Sequence, residues 1–258
     1  MKRLYVALAV IALVAFMPAG RAAADTDKSL QAVPFEFVGK AGDCGTSYPA
    51  GSRIVTAAWF GGMGLPDNGG DTAINGTQAT RNDPHSGLLL SKNGPTTDCS
   101  SSGAEIKGVK GMDVVAGFAI GFDYRGGGHC GAGAPRFNVV TRTNGVDSPL
   151  SFLGGCANGV PTLAPQDPQW YRVRFVLTDP TVAFPPLTTG SKIVSIDILY
   201  DEGTDTTSIQ DPMGVGLAVL DNIYINGQYI RSGPRTGSGN NGRAKDKNKG
   251  DDDNEGDD

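Results

Sequence analysis

The sequence predicts an all-β chain: a two-sheet antiparallel β-sandwich of jelly-roll topology, with long loops and a disordered C-terminal tail. Three observations carry that expectation. Glycine, at 38 residues, and proline, at 16, are too frequent for long helices. Apolar residues recur at every second position in short runs bounded by turn clusters, which is the period of a half-buried strand. No stretch carries the 3.6-residue recurrence of a long amphipathic helix. Several strands joined by loops of variable length bury their apolar sides by packing as two sheets face to face.

The strands justify themselves one by one. In "GFAIGFDY", Phe118, Ile120 and Phe122 share one face and Asp123 points to the other. "FNVVTRTNG" alternates Phe137, Val139 and Thr141. "WYRVRFVLT" sets Tyr171, Val173, Phe175 and Leu177 inward and Arg172 and Arg174 outward. "KIVSIDILYDEG" is mostly apolar on both faces, as a central strand is. "GVGLAVLDNIYINGQYI" places Val215, Leu217, Val219, Asp221, Ile223 and Ile225 on one side, then turns at Asn226 and Gly227, a strong hairpin signal. Trp59 and Trp170 lie beside strand patterns and read as core. The loop from Gly61 to His85 is too polar and glycine-rich for a core element, and loops of that length on a rigid sandwich often carry function.

Residues 1–24 read as a secretory signal peptide: Lys2 and Arg3 precede an apolar run from Leu4 to Met17, and small residues lead to cleavage after Ala24. The run is about 14 residues, short of the roughly 20 that span a bilayer. With neither a lipid-bearing cysteine nor a hydrophobic C-terminal tail, the expectation is a soluble, secreted, extracellular protein with no membrane anchor. Residues 25–231 form the sandwich, and residues 232–258, with no apolar side chain larger than alanine, form a disordered charged tail. The net charge of -5 becomes more negative still once Lys2, Arg3 and Arg21 leave with the signal, which argues against a nucleic-acid partner. A monomer is expected.

An oxidising compartment turns the four cysteines, Cys44, Cys99, Cys130 and Cys156, into two expected disulfides. Three pairings are open; Cys130 with Cys156 and Cys44 with Cys99 is favoured, because Cys130 and Cys156 flank a pair of strands. The stretch "RGGGHCGAGAPRFN" fits a G-x-G-x-x-G pattern through Gly126, Gly128 and Gly131, but Pro135 and an alternating strand follow it where a phosphate-binding loop needs a helix. His129 beside Cys130 does not make a nucleophile, since neighbours in extended chain point to opposite faces. A stapled turn is the plainer reading. His129, Arg136, Asn138, Arg172 and Arg174 then form a candidate polar surface for sugar hydroxyls or carboxylates, which planar guanidinium groups recognise well.

The two ends of the domain, "PFEF" at Pro34 to Phe37 and "VLDNIYI" at Val219 to Ile225, resemble the first and last strands of carbohydrate-binding modules with a galactose-binding-like jelly roll. The resemblance implies a structural Ca2+ held between those strands, with Glu36 and Asp221 as ligands and Asp43 and backbone carbonyls completing the shell. It also implies a secreted, non-catalytic module for extracellular carbohydrate or polymer. Two other readings stand beside it. One is a glycan hydrolase or lyase that pairs two carboxylates drawn from Asp67, Asp71, Asp83, Asp123, Asp197 and Glu202. The other is a purely structural extracellular protein.

Overall fold

The computed structural model describes residues 29–39, 54–65, 73–74, 77–78, 85–209 and 211–234. The signal segment, the charged tail beyond Pro234, Asp43, Cys44, Asp67, Asp71 and Asp83 lie outside the described residues, while Ser232 to Pro234, expected to belong to the tail, are described with the sandwich. In chain order the strands are β1 (Gln31–Phe37), β2 (Val55–Phe60), β3 (Ala73–Ile74), β4 (Thr77–Gln78), β5 (Gly87–Lys92), β6 (Ser101–Lys107), β7 (Ala119–Arg125), β8 (Arg136–Thr143), β9 (Val146–Asp147), β10 (Ser151–Gly154), β11 (Thr162–Leu163), β12 (Trp170–Val176), β13 (Ala183–Phe184), β14 (Lys192–Tyr200), β15 (Leu217–Ile225) and β16 (Gln228–Ile230). The only helical turn among the described residues is a 3-10 turn at Cys156–Asn158. No helix of the described residues is long and apolar enough to cross a membrane.

The strands build two antiparallel seven-stranded sheets. The first runs β1-β6-β14-β8-β10-β13, with β9 on β8; the second runs β11-β12-β7-β15-β5-β2, with β16 on β15. Within them β5-β15-β7-β12 face β6-β14-β8-β10. Of these eight strands the first pairs with the last and the second with the seventh, which is the jelly-roll wrap. The central strand foreseen in "KIVSIDILY" is β14, between β6 and β8.

Alternation places the core. Ile120, Phe122 and Tyr124 of β7 meet Phe137 and Val139 of β8, Val173 and Phe175 of β12 and Ile196, Ile198 and Tyr200 of β14 in one buried cluster. Phe122, Phe137 and Phe175 pack with ring centroids 5.6 to 6.4 Å apart. Each such ring is worth about 1.5–3 kcal/mol of burial. Trp59 and Trp170 are both buried, as expected. The indole N–H of Trp59 donates to the carbonyl of Ala32 at 2.9 Å. Gly233 lies against the same pair, so closely that a Cβ there would collide with the indole nitrogen and that carbonyl.

One face assignment fails. The run Val215 to Ile225 was expected to keep one set of residues on one side, but β15 bulges at Asp221 and Asn222, where the pairing with β7 shifts register. Asn222 sits there at φ 46°, a left-handed backbone that asparagine tolerates. The extra residue reverses the parity. Ala218, Leu220, Ile223 and Ile225 face the core, whereas Val219 joins Leu65, Ala164 and Trp170 in a second cluster on the outer face of the second sheet. The hairpin at Asn226 and Gly227 forms as expected, with positive φ at both.

Candidate functional site

The glycine loop is a stapled turn. Cys130 and Cys156 are bonded, with Cα atoms 5.3 Å apart. Cys99 is also in a disulfide, while its expected partner Cys44 is outside the described residues. His129 is not presented to ligand as the sequence suggested; its ring is buried between two acids. Nε2 donates to Glu202 Oε2 at 2.6 Å and Nδ1 to Asp211 Oδ2 at 3.3 Å. Two carboxylate acceptors are both served when the ring carries two N–H donors, which is the imidazolium form. Burial alone opposes its charge, but the hydrogen bonds and charges of Glu202 and then Asp211 outweigh it, and the pKa stands above the usual histidine value. Here the glycines serve close approach: side chains on Gly131 or Gly133 would run into His129 and Glu202. Glu202 also accepts from the Ala134 amide at 3.0 Å, and Asp211 accepts from the Val215 amide at 2.8 Å. The clamp therefore holds the connection between β14 and β15 onto the stapled turn.

The expected arginine surface divides in two. Arg136 and Asn138 alternate with buried Phe137 and Val139 and face outward from the first sheet, whereas Arg172 and Arg174 alternate with buried Val173 and Phe175 and face outward from the second. The four do not make one surface, because β8 and β12 belong to different sheets. On the second sheet, Asp123 is fully buried beneath Arg172, which binds both its oxygens at 2.9 Å. Arg174 reaches Asp123 at 3.4 Å and Asn222 donates to it at 3.1 Å. Arg174 also stacks over Tyr224, 4.8 Å from the ring centre. Burial pushes the Arg174 pKa down, with the charge of Asp123 opposing it. This is a self-satisfied network.

The outer face of the first sheet differs. Cross-strand pairing lines up Glu105 on β6, Asp197 on β14, Asn138 on β8, Phe152 on β10 and Phe184 on β13 in one row. Phe152 and Phe184 are 43% and 77% exposed. Beside them a cleft of about 400 Å³ is lined by Arg136, Asn158, Thr181 and Val182 as well as both rings. Arg136 lies 5.6 Å from the Phe152 ring centre, fixed by a bidentate pair with Asp201 at 2.7 and 2.8 Å. The Oδ1 of Asn138 is buried and accepts from no described group. Asp197 has no hydrogen bond or ion pair among the described residues. Burial, then the neighbouring Glu105, hold its carboxyl above the usual range, which Lys107 only partly offsets. Neither phenylalanine stands out in the sequence, since each lies in a strand too short to show a period.

Glu36 and Asp221 serve the backbone. Glu36 accepts from the Ala57 amide at 3.1 Å, linking β1 to β2, and Asp221 accepts from the amides of Leu65 at 2.8 Å and Asn222 at 2.5 Å. Among the described residues no group of three or more His, Cys, Asp or Glu is placed to hold a metal, so these do not by themselves supply the shell that calcium needs. Of the other acids considered for catalysis, Asp123 and Glu202 are held by Arg172 and His129, and Asp197 lies in the exposed row.

Sequence reasoning missed Lys92, the buried end of β5. Its ammonium donates to the carbonyls of Thr96 at 3.1 Å, Asp201 at 2.8 Å and Asp98. Burial pushes its pKa down, with Asp98, Asp201 and Asp205 opposing that shift. Lys92→Met keeps the volume and leaves those carbonyls unpaired; the expected loss is about 2–3 kcal/mol in urea unfolding. Compared with protein families, with characterised proteins and with solved structures, the chain matches none, so its site rests on its own chemistry.

Proposed function

We propose that the protein is a secreted, non-catalytic module that binds extracellular carbohydrate across the outer face of its first sheet. The observation that carries this reading is the exposed cross-strand pair Phe152 and Phe184, which line a cleft together with Arg136. Two aromatic faces on adjacent strands offer a stacking surface to the C–H faces of sugar rings, and Asn138 lies in the same row. The rigid sheet beneath keeps the surface preformed, which lowers the ordering cost of binding.

Binding of the full chain to immobilised polysaccharides tests the reading. Phe152→Ala and Phe184→Ala are each expected to weaken retention about tenfold, at a loss of roughly 1.4 kcal/mol. Because both rings are exposed, thermal unfolding should change little. Retention unaffected by both substitutions would remove this face from the proposal. The same assay with added calcium and then with chelator tests the metal implied by the resemblance. The adjacent carboxylates Glu105 and Asp197 favour hydrolysis as the second reading, and release of reducing ends from a bound polymer would replace the non-catalytic one.

A further inference from the structure

The row on the first sheet is chemically one-sided. Two of its members, Glu105 and Asp197, offer carboxylate oxygens, and Phe152 and Phe184 offer π faces, with Asn138 between the two pairs. The two carboxylates and the two π faces each attract a cation. Arg136, the cation that lines the aromatic end among the described residues, is held by both oxygens of Asp201, which leaves little to attract an anionic sugar. Lys107, the cation nearest the other end, is paired with Glu105. Asp197 between them makes no hydrogen bond or ion pair among the described residues, and Lys107 only partly offsets its burial beside Glu105, so an added positive group stabilises it.

We propose that this row is a binding surface for a cationic glycan, a polymer of hexosamine units with free protonated amines, whose ammonium sits against Asp197 while neighbouring rings stack on Phe152 and Phe184. The inference rests on the carbohydrate-binding reading and adds its ligand class. From β6 to β13 the row crosses four strand spacings, about 19 Å, which suits a short oligosaccharide lying across the strands. The charge of the whole chain, -5, favours approach of a polycation.

The experiment is calorimetric titration of the full chain with glucosamine oligomers, N-acetylglucosamine oligomers of equal length, and oligolysine, each repeated with Asp197→Asn and Phe152→Ala. Glucosamine oligomers are expected to bind at least tenfold more tightly than their acetylated counterparts. Asp197→Asn removes that preference without lowering the melting temperature, since it relieves an unpaired half-buried charge. Phe152→Ala weakens glucosamine binding with the carboxylate still in place. Equal binding of both sugars, or a preference untouched by Asp197→Asn, overturns the cationic assignment and leaves the carbohydrate reading standing. Oligolysine binding that depends on Asp197, with no sugar bound, overturns both.

Discussion

His129→Leu is expected to cost about 3–5 kcal/mol of folding stability, because it leaves Glu202 and Asp211 facing each other across a buried space without their shared cation. The variant is also expected to lose a pH dependence that the wild type has. The folded pKa of His129 is raised, so its contribution is complete below the unfolded histidine value of about 6.5 and is lost as pH rises through the higher folded value. Urea unfolding at pH 5.5 and 8.5 reads both effects. The wild type should be more stable at the lower pH by a margin that His129→Leu removes. Equal stability of wild type at the two pH values would mean that folding does not raise the proton affinity of His129 in this clamp.

Asp123→Ala is expected to be as damaging, at about 3–5 kcal/mol, because it strands Arg172 and Arg174 side by side and leaves the Asn222 amide without its acceptor. Arg172→Met alone should cost less, since Arg174 and Asn222 still reach Asp123. The double variant should fall short of the sum, by the coupling expected of groups in one network. Chemical denaturation of the two single variants and the double variant gives that coupling directly. A simply additive result would show that Arg172 and Asp123 act independently.

Much of the sandwich is legible in the chain because its cues are local. Strand parity in "WYRVRFVLT" and the Asn226–Gly227 turn each depend on a few adjacent residues, and the Cys130–Cys156 staple spans only the 26 residues of one strand pair. The site is less legible because it depends on which strands become neighbours. Parity says that Arg136 and Arg172 point away from the core, but the sheet each belongs to is set by the wrap. His129 meets acids 73 and 82 residues away, a pairing that no spacing announces. Asn222 reverses the face of half a strand through a single left-handed residue. Phe152 becomes part of a surface only once β13 brings Phe184 alongside it.

The contact of Gly233 with Ala32 and Trp59 bears on how such a domain is carried. The chain leaves the sandwich beside the strand through which it enters, so a tether or neighbouring domain at either end hangs from a single corner. That corner is at β1, and Phe184 is on β13 at the opposite edge of the same sheet, five strand spacings or about 24 Å away. Cargo attached there stands clear of Phe152 and Phe184, though it adjoins the Glu105 end of the row. The same closeness of ends suits the domain to insertion within a loop of another protein, or to rejoining its termini and opening elsewhere, with the row left intact.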